Sequence, residues 1–372
     1  AHSCGVTTHN VVAHRALEWF LPEEYALYKD IINRNQDAFQ NGAAFPDWGY
    51  DCFLKPIYDS LQDASEEAHW PPFQMATADY IRDNYPQPWS TDAEKLIAFL
   101  FGFVAHGVAD TIWHDLEYTG LTRQGFIQAL SNSNFNNHNL GYGGDAHNEA
   151  DTGGEFMAAY EVDLSFIQWD WAIPSSDLAK IYHSLNFTQV SSQVLESCNA
   201  ELYAEVQAIT RLPSELIYPH FAAEASFLVD QYQDWWMGGI NDMSIWTEWC
   251  WPYIINWVEN GSNNRTSTDI CIVESLYDPP VSAVLSEVKA RHMKAEISAR
   301  KNTKKVLMNL LGEMPKVEIV HEGNIAYFKL ADLDQYQSKL IEKKTQETFK
   351  RDTTCIAQDS TEASIEFYTE YS

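Results

Sequence analysis

Three residues with metal-binding side chains recur at four-residue steps within the apolar segment Asp92–Leu116. They are His106, Asp110 and His114. A step of four residues turns an α-helix about 40° past a full circle, so the three side chains lie on roughly one side of the helix. Imidazole and carboxylate groups at one-turn spacing are a common way for a helix to bind a divalent metal. The segment therefore predicts a metal site on a central helix.

The spacing also indicates that more than one ion is involved. Residues eight apart are separated by about 12 Å along a helix axis, which is too far for His106 and His114 to bind one ion comfortably. If all three residues are ligands, we expect two or more metals with Asp110 near the middle, because a carboxylate has two oxygens and can bridge. The alternative is that they are core residues with satisfied hydrogen bonds, the usual state of a buried histidine.

Further candidate ligands are histidines and aspartates elsewhere in the first 151 residues. They are His9 and His14 in TTHNVVAHRALEW, Asp47 in FPDWGYD, His69 in EEAHWPPF, and His147 and Asp151 in AHNEADTGGEF. Each is a weak signal by itself, but the order of residue types along the chain is specific. Glu155 lies one turn past Asp151, where it would support a ligand, cap a helix or face solvent.

Taken in this order, the residues resemble the zinc-dependent phospholipase C superfamily, which also contains zinc nucleases that prefer single strands. The chain most resembles the catalytic domain of the glycosylphosphatidylinositol-specific phospholipase D branch. The resemblance is carried from residue 4 to about 260 by CGVTTHNVVAHRALEW, FPDWGYDC, EEAHWPPF, IRDNYPQPW, EKLIAFLFGFVAHGVADTIWH, AHNEADTGGEF and DQYQDWWMGGINDMSIW. Mammalian members of that branch continue into a β-propeller with calcium-binding repeats, which residues 265–372 do not resemble.

The resemblance implies an all-helical fold with three zinc ions in a cleft. It implies one zinc held by Asp47, His69, His106 and Asp110, a second held by His114, His147 and Asp151, and a third held by His9, His14 and the bridging Asp110. Phospholipase C and nuclease members bind the third zinc through an N-terminal tryptophan, so here the imidazole of His9 would take that role. His114 follows His106 by eight residues, where the phospholipase C branch has ten. Among these ligands we predict that Asp47, Asp110, His114 and His147 are catalytic.

Zinc chemistry agrees with phosphodiester hydrolysis. Zinc lowers the pKa of a bound water towards about 7 and places positive charge beside the phosphoryl oxygens. Manganese and iron are alternatives for such mixed nitrogen and oxygen ligands. We therefore predict a zinc-dependent phosphodiesterase that hydrolyses glycosylphosphatidylinositol anchors or related phospholipids through a zinc-bound hydroxide. The alternatives are phospholipase C or nuclease-type specificity on the same metals, or a structural or binding protein that kept the fold without activity.

Composition limits the partners and the compartment. The net charge of −29 disfavours a nucleic acid partner, which normally requires an electropositive surface. Six cysteines without a CxxC pair predict disulfides, and sequons at Asn186, Asn260 and Asn264 predict glycosylation, so we expect a secreted protein. The sequence contains no run of about 18 uncharged apolar residues, so no membrane span is predicted. Tryptophans between Asp234 and Trp257 are either core residues or an interfacial lipid anchor.

The chain is expected to be mostly α-helical, with a catalytic domain at 1–260, a polar linker at 261–269 and a smaller mixed α/β segment at 270–372. Residues 131–154 are rich in Asn and Gly and predict a long loop. No strand is predicted before residue 260, whereas PKVEIVHEGNIAYFKL predicts two short strands joined by a turn at Glu322. Between Lys289 and Arg351 lie 14 of the 24 Lys and Arg residues. This basic run predicts a solvated face, or contact with a membrane surface or an acidic face of the first domain.

Overall fold

The computed structural model describes residues 5–20, 23–50, 52–54, 60–114, 125–135, 145–211, 214–236, 238–262, 300–309 and 311–331. All of them belong to the first of two compact units, Ala1–Ala331, and the second unit is Asp332–Ser372. The partition into a domain at 1–260, a linker at 261–269 and a segment at 270–372 stays a prediction. The described part of the C-terminal segment, up to Ala331, lies in the same compact unit as the helices that precede it.

The predicted central helix is present as α6 (Thr91–His114). Its start is capped by Ser90, whose hydroxyl accepts a hydrogen bond from the backbone N–H of Ala93 at 3.3 Å. By length and composition α6 is the one helix of the described residues that could span a membrane, but its apolar window is 100% buried inside the protein. The apolar residues of α6 therefore form part of the protein core.

Besides α6 and the helical residues 300–309, the described part of the chain contains twelve α-helices, which confirms the mostly α-helical fold class. They are α1 (Val6–Trp19), α2 (Ala26–Arg34), α3 (Gln36–Ala44), α4 (Leu61–Glu67), α5 (Pro71–Asn84), α7 (Phe126–Asn134), α8 (Asp145–Glu161), α9 (Ser175–Ser184), α10 (Ser192–Ile209), α11 (Tyr218–Glu224), α12 (Ser226–Gln231) and α13 (Ile240–Asn260). Helices α1, α2, α3, α5 and α13 all pack against α6.

The closest helix pair is α3 with α6, and two glycines allow their backbones to touch. A Cβ added to Gly42 would overlap the carbonyl group of Phe99, and one added to Gly102 would overlap the backbone of Phe39 and Ala43. Glycine in a helix interior costs about 1 kcal/mol relative to alanine, so the close approach must outweigh that cost. It brings the end of α3 directly against the middle of α6.

The prediction of a loop over residues 131–154 is wrong at both ends. Helix α7 continues to Asn134 and α8 begins at Asp145, while residues 136–144 lie outside the described residues. Glycine in α8 opposes helix formation, but Gly153 packs so closely against Leu228 and Phe221 that a Cβ would overlap them. Tertiary packing therefore stabilises a helix that local composition disfavours.

A three-stranded antiparallel sheet lies beside the helices, in the order β1–β3–β2. The predicted hairpin is confirmed as β2 (Val317–Glu322) and β3 (Ile325–Leu330), joined at Gly323, whose φ is +60°. The expectation of no strand before residue 260 is wrong, because β1 (Trp171–Ile173) pairs with β3. Three residues are too few to show an alternating pattern, and their partner lies far away in the sequence.

Basic and imidazole side chains of the C-terminal segment contact carboxylates of α10. Arg300 pairs with Glu205 at 3.1 Å, Lys304 with Glu201 at 2.7 Å, and His321 with Glu196 at 2.7 Å. Residues 300–309, which belong to this basic run, are helical. Arg300 and Lys304 therefore contact an acidic face of the preceding domain, which is one of the three placements considered for the basic run.

The described cysteines are all disulfide-bonded, as predicted from their number and spacing. Cys52 is bonded to Cys198 of α10 with a Cα–Cα distance of 5.0 Å, and Cys250 of α13 is also disulfide-bonded. Two of the three predicted glycosylation sites, Asn186 and Asn260, are exposed. Asn264 and the cysteines at 4, 271 and 355 lie outside the described residues.

The tryptophans between Asp234 and Trp257 divide between the core and the surface. Trp251 and Trp257 are buried, whereas Trp236 is 62% and Trp249 is 57% exposed. The prediction of core packing therefore holds for Trp251 and Trp257 of α13, and a lipid-anchoring role for the two exposed tryptophans stays a prediction.

The contact between α3 and α6 yields a prediction about stability. Gly102→Ala should lower the free energy of unfolding by about 3 kcal/mol, because the added methyl group meets backbone that cannot rotate away. Thermal and urea unfolding measure the change. Gly312→Ala is the control, since nothing lies within 4 Å of its Cβ and only its φ of +81° opposes the substitution, at roughly 1 kcal/mol. An unfolding transition of Gly102→Ala that matches wild type would contradict this packing.

Candidate metal centre

Eight of the nine predicted ligands lie together in the interior, each at most 7% exposed. They come from α1, from the 3₁₀ turn Phe45–Asp47, from the residues after α4, from α6 and from α8. Three groups have ligand atoms within 4.8 Å of one another: His9, Asp47 and His106; His69, His106 and Asp110; and His114, His147 and Asp151. Each group mixes imidazole nitrogen with carboxylate oxygen, a ligand set that suits zinc.

The Nε2 atoms of His69 and His106 approach each other to 3.2 Å. The Nδ1 atom of His106 lies 2.7 Å from the carbonyl oxygen of Ala43, and that of His69 lies 3.2 Å from the carbonyl oxygen of Ser65. A carbonyl oxygen only accepts, so each Nδ1 donates its proton, and Nε2, once deprotonated, presents its lone pair to the centre. Such hydrogen bonds to the second ring nitrogen are typical of histidines that bind metals.

Two carboxylates face these nitrogens. The distance from Asp110 Oδ2 is 3.3 Å to His69 Nε2 and 3.3 Å to His106 Nε2, and Asp47 Oδ1 lies 3.6 Å from His69 Nε2. Both side-chain oxygens of Asp47 are buried without a hydrogen-bond partner among the described residues. Buried carboxylates without hydrogen bonds require a cation close by. The donor set therefore fits a divalent metal.

The pKa values of the same groups indicate a demand for positive charge. Burial lowers the pKa of the His69 imidazole, but the nearby carboxylates of Asp110 and Asp47 outweigh burial and raise the pKa to about 9. Burial raises the pKa of the Asp47 carboxyl, but the neighbouring His106 and His69 outweigh it and hold the pKa at about 2. The centre therefore stabilises a cation strongly.

Asp110 has the geometry that a bridging ligand requires. Its Oδ2 faces His69 and His106, whereas its Oδ1 lies 3.2 Å from His9 Nε2 and 3.7 Å from His114 Nε2. The His9 ring also stacks on the His106 ring, with centroids 3.5 Å apart. The two oxygens of one carboxylate thus point towards different sets of histidines, as the four-residue spacing on α6 predicts.

The third group lies at the C-terminal end of α6. The rings of His114 and His147 are 4.7 Å apart, and His147 Nε2 lies 3.1 Å from Asp151 Oδ2. Trp113 Nε1 donates to Asp151 Oδ1 at 2.9 Å, which orients the other carboxylate oxygen towards His147. Burial raises the pKa of Asp151 to about 6. These three residues are the set that the resemblance implies for a second zinc.

His14 is the one predicted ligand that the structure does not bring to the centre. Its ring stacks on Phe166 with centroids 3.8 Å apart, and its Nε2 lies 3.6 Å from Glu18. Residues five apart on a helix point about 140° away from each other, so His9 and His14 face different sides of α1. The implied third set therefore has only His9 and Asp110 in place among the described residues.

Ser65 supports the turn that carries Asp47, a role that sequence reasoning missed. Its hydroxyl donates to the carbonyl oxygen of Pro46 and accepts from the N–H of Gly49 at 2.9 Å. Its own carbonyl is the acceptor for His69 Nδ1. One serine of α4 therefore fixes two ligands, and because most of these contacts involve backbone atoms, the sequence carries little signal of them.

Of the three roles considered for Glu155, the structure assigns helix capping, and the helix is α1. Glu155 Oε2 accepts from the N–H of Thr7 at 3.0 Å, at the positive end of the helix that carries His9. A Cβ on Gly5, whose φ is +90°, would overlap the Glu155 side chain. Burial, followed by the nearby Glu205, raises the pKa of Glu155 to about 8.

Comparisons with known proteins agree with this geometry. Residues 8–211, more than half of the chain, match the family model for zinc-dependent phospholipase C. The chain belongs to the zinc-dependent phospholipase C family, which confirms the resemblance drawn from the motifs. No solved structure matches it.

The chain is similar to proteins named phosphatidylinositol-glycan-specific phospholipase D. It is 38% identical over 329 residues to that of Dictyostelium discoideum, a match that covers 88% of this chain and 32% of the relative. It is 36% identical over 267 residues to those of Bos taurus and Homo sapiens, covering 70% of this chain and 30% of each relative. The chain thus spans about a third of the length of these relatives.

The different positions of two histidines on α1 give a prediction about metal content. His9→Ala should reduce the zinc bound per chain, because His9 Nε2 faces Asp110. The His14→Ala variant should bind as much zinc as wild type, because the His14 ring of the wild-type protein packs on Phe166. Inductively coupled plasma mass spectrometry on the purified variants measures the ratio. Equal loss of zinc in both variants would contradict the placement of His14.

Proposed function

We propose that this chain is a zinc-dependent phosphodiesterase that hydrolyses glycosylphosphatidylinositol anchors or related phospholipids. The single observation that carries the proposal is the position of Asp110, whose two buried oxygens face separate sets of histidines. A site with several metals held close together around one carboxylate suits displacement at a phosphate, where charge develops on both attacking and leaving oxygens.

The ligands divide among the ions as the family resemblance implies, apart from His14. Asp47, His69, His106 and Asp110 would hold one zinc, His114, His147 and Asp151 a second, and His9 with Asp110 would contribute to a third. When bound, zinc supplies hydroxide at neutral pH and positive charge beside the phosphoryl oxygens. The protein fixes the tautomers of His69 and His106 through backbone carbonyls.

The substrate class is supported by the similar proteins. Those that match 70–88% of this chain are named for action on phosphatidylinositol glycan and for phospholipase D. Cleavage on that side of the phosphate releases phosphatidic acid, whereas cleavage on the other side releases diacylglycerol. We propose the phospholipase D side, with a membrane-surface contact during catalysis.

Two other functions use the same fold. Phospholipase C or nuclease-type specificity would use the same metals, but a net charge of −29 is unfavourable for a nucleic acid substrate. A protein that kept the fold without activity would be expected to have lost ligands, and eight of the nine predicted ones converge here. We also propose that the protein is secreted, which the Cys52–Cys198 disulfide and the exposed sequon at Asn186 support.

The proposal predicts the outcome of an assay on anchored proteins. Wild-type protein loaded with zinc should release a glycosylphosphatidylinositol-anchored reporter from detergent-dispersed membranes and leave phosphatidic acid, measured by lipid mass spectrometry. Asp110→Asn should lower the rate by at least about 100-fold, because it removes the bridging carboxylate. His14→Ala is the matched control and should keep the wild-type rate.

The same assay distinguishes the alternatives. Diacylglycerol in place of phosphatidic acid would indicate phospholipase C specificity, and hydrolysis of phosphatidylcholine or single-stranded DNA without release of the reporter would reject the proposed substrate. A fully zinc-loaded protein that hydrolyses none of these would favour the binding function.

A further inference from the structure

Arg300 is a buried arginine that reaches the metal centre from far along the chain. It lies beyond residues 8–211, which match the family model, and it is only 5% exposed. Its Nη1 donates to the backbone carbonyl of Asp47, and its Nη2 donates to Glu205 Oε2 at 3.1 Å. A charged side chain is rarely buried unless it is paired, so its position requires a reason.

We propose that Arg300 is a positioning residue for the metal ligand Asp47, and that residues 300–331 thereby complete the metal centre. The inference rests on the proposed zinc site. Arg300 binds the backbone oxygen of Asp47, which leaves the carboxylate directed at His69 and His106. The arginine therefore acts through Asp47 and supports a ligand.

The backbone at Asp47 is restrained from several directions. Its carbonyl oxygen also accepts from the N–H of Tyr50 at 3.3 Å, so both lone pairs of that oxygen have donors. The turn Phe45–Asp47 is short, and Ser65 holds its other side through Pro46. Loss of the Arg300 donor would release the side of the turn that faces α10.

The chemistry of this position is specific for arginine. Two acceptors on different elements, the carbonyl of Asp47 and the carboxylate of Glu205, are contacted by two nitrogens of one planar guanidinium group. Lysine has a single ammonium nitrogen and a flexible stem, so it cannot reproduce the fork. Glu205 is 1% exposed, and the pair therefore balances its charge inside the protein.

Other described residues of the C-terminal segment are fixed against the same helix or against β1. Lys304 contacts Glu201 and His321 contacts Glu196, both on α10, while β3 pairs with β1 over Trp171–Ile173. Arg300 is thus the innermost of three contacts along one acidic helix. The described segment that follows the arginine is therefore held by several contacts, which give Arg300 a defined position behind Asp47.

The test compares zinc affinity with stability in the full chain. Arg300→Met with Glu205→Gln removes both buried charges together, so no carboxylate is left unpaired, and it also removes the donor to Asp47. Arg300→Lys keeps the positive charge but not the fork. Lys304→Met is the matched control, since it removes a cation from the same helical residues, and its partner Glu201 contacts the N–H of Phe53 rather than Asp47.

Zinc affinity is measured by competition with a chromophoric chelator, and thermal unfolding is recorded for zinc-free and zinc-loaded protein. We expect the double variant to bind at least one zinc about 10-fold to 100-fold more weakly, as is typical when the support of a ligand is removed. Zinc should therefore raise the unfolding temperature of the double variant by less than it raises that of wild type. Arg300→Lys should show a smaller loss, and Lys304→Met should match wild type in affinity.

Two results would overturn the inference, and they are distinguishable. If wild type binds zinc, and the double variant and the Arg300→Lys variant both bind it as tightly as wild type, Arg300 is only structural. This conclusion would hold even if both variants unfold at lower temperature. If wild type itself binds no zinc, the proposed function fails and this inference fails with it.

Discussion

The structure depends on two aspartates that are buried in the interior of a mostly helical protein. Asp47 is completely buried and Asp110 is 2% exposed, and each keeps a carboxylate among histidine nitrogens. Burial by itself would favour the neutral acids, so positive charge must be held at the same place. The histidines that surround them present Nε2 atoms there, and a divalent cation satisfies both kinds of ligand.

Backbone contacts determine where that charge is placed. The glycine contact between α3 and α6 brings the carbonyl of Ala43 against His106, and the carbonyl of Ser65 orients His69. Glu155 caps α1 from another helix and so fixes the start of the helix that carries His9. The chemistry of the centre therefore rests on close helix packing as much as on the ligands, because small shifts of backbone would rotate the imidazoles.

The sequence predicted those parts of the centre that follow from helix geometry. Spacing alone indicated that Asp110 lies between His106 and His114 on one side of the helix, because four-residue steps fix direction on a helix. His14 was placed by analogy with the family order, although five residues separate it from His9 and turn it to another side of α1. The strand β1 and the contact of Arg300 with Asp47 depend on partners more than 100 residues away, and local patterns carry no information about such pairs.

Anomalous diffraction at the zinc absorption edge, from crystals of the purified protein grown with zinc, tests the central claim most directly. We predict anomalous peaks on both sides of Asp110, one within bonding distance of the Nε2 atoms of His69 and His106. A further peak should lie among His114, His147 and Asp151. Crystals in which zinc binds elsewhere, with no anomalous peak beside Asp110, would contradict the account.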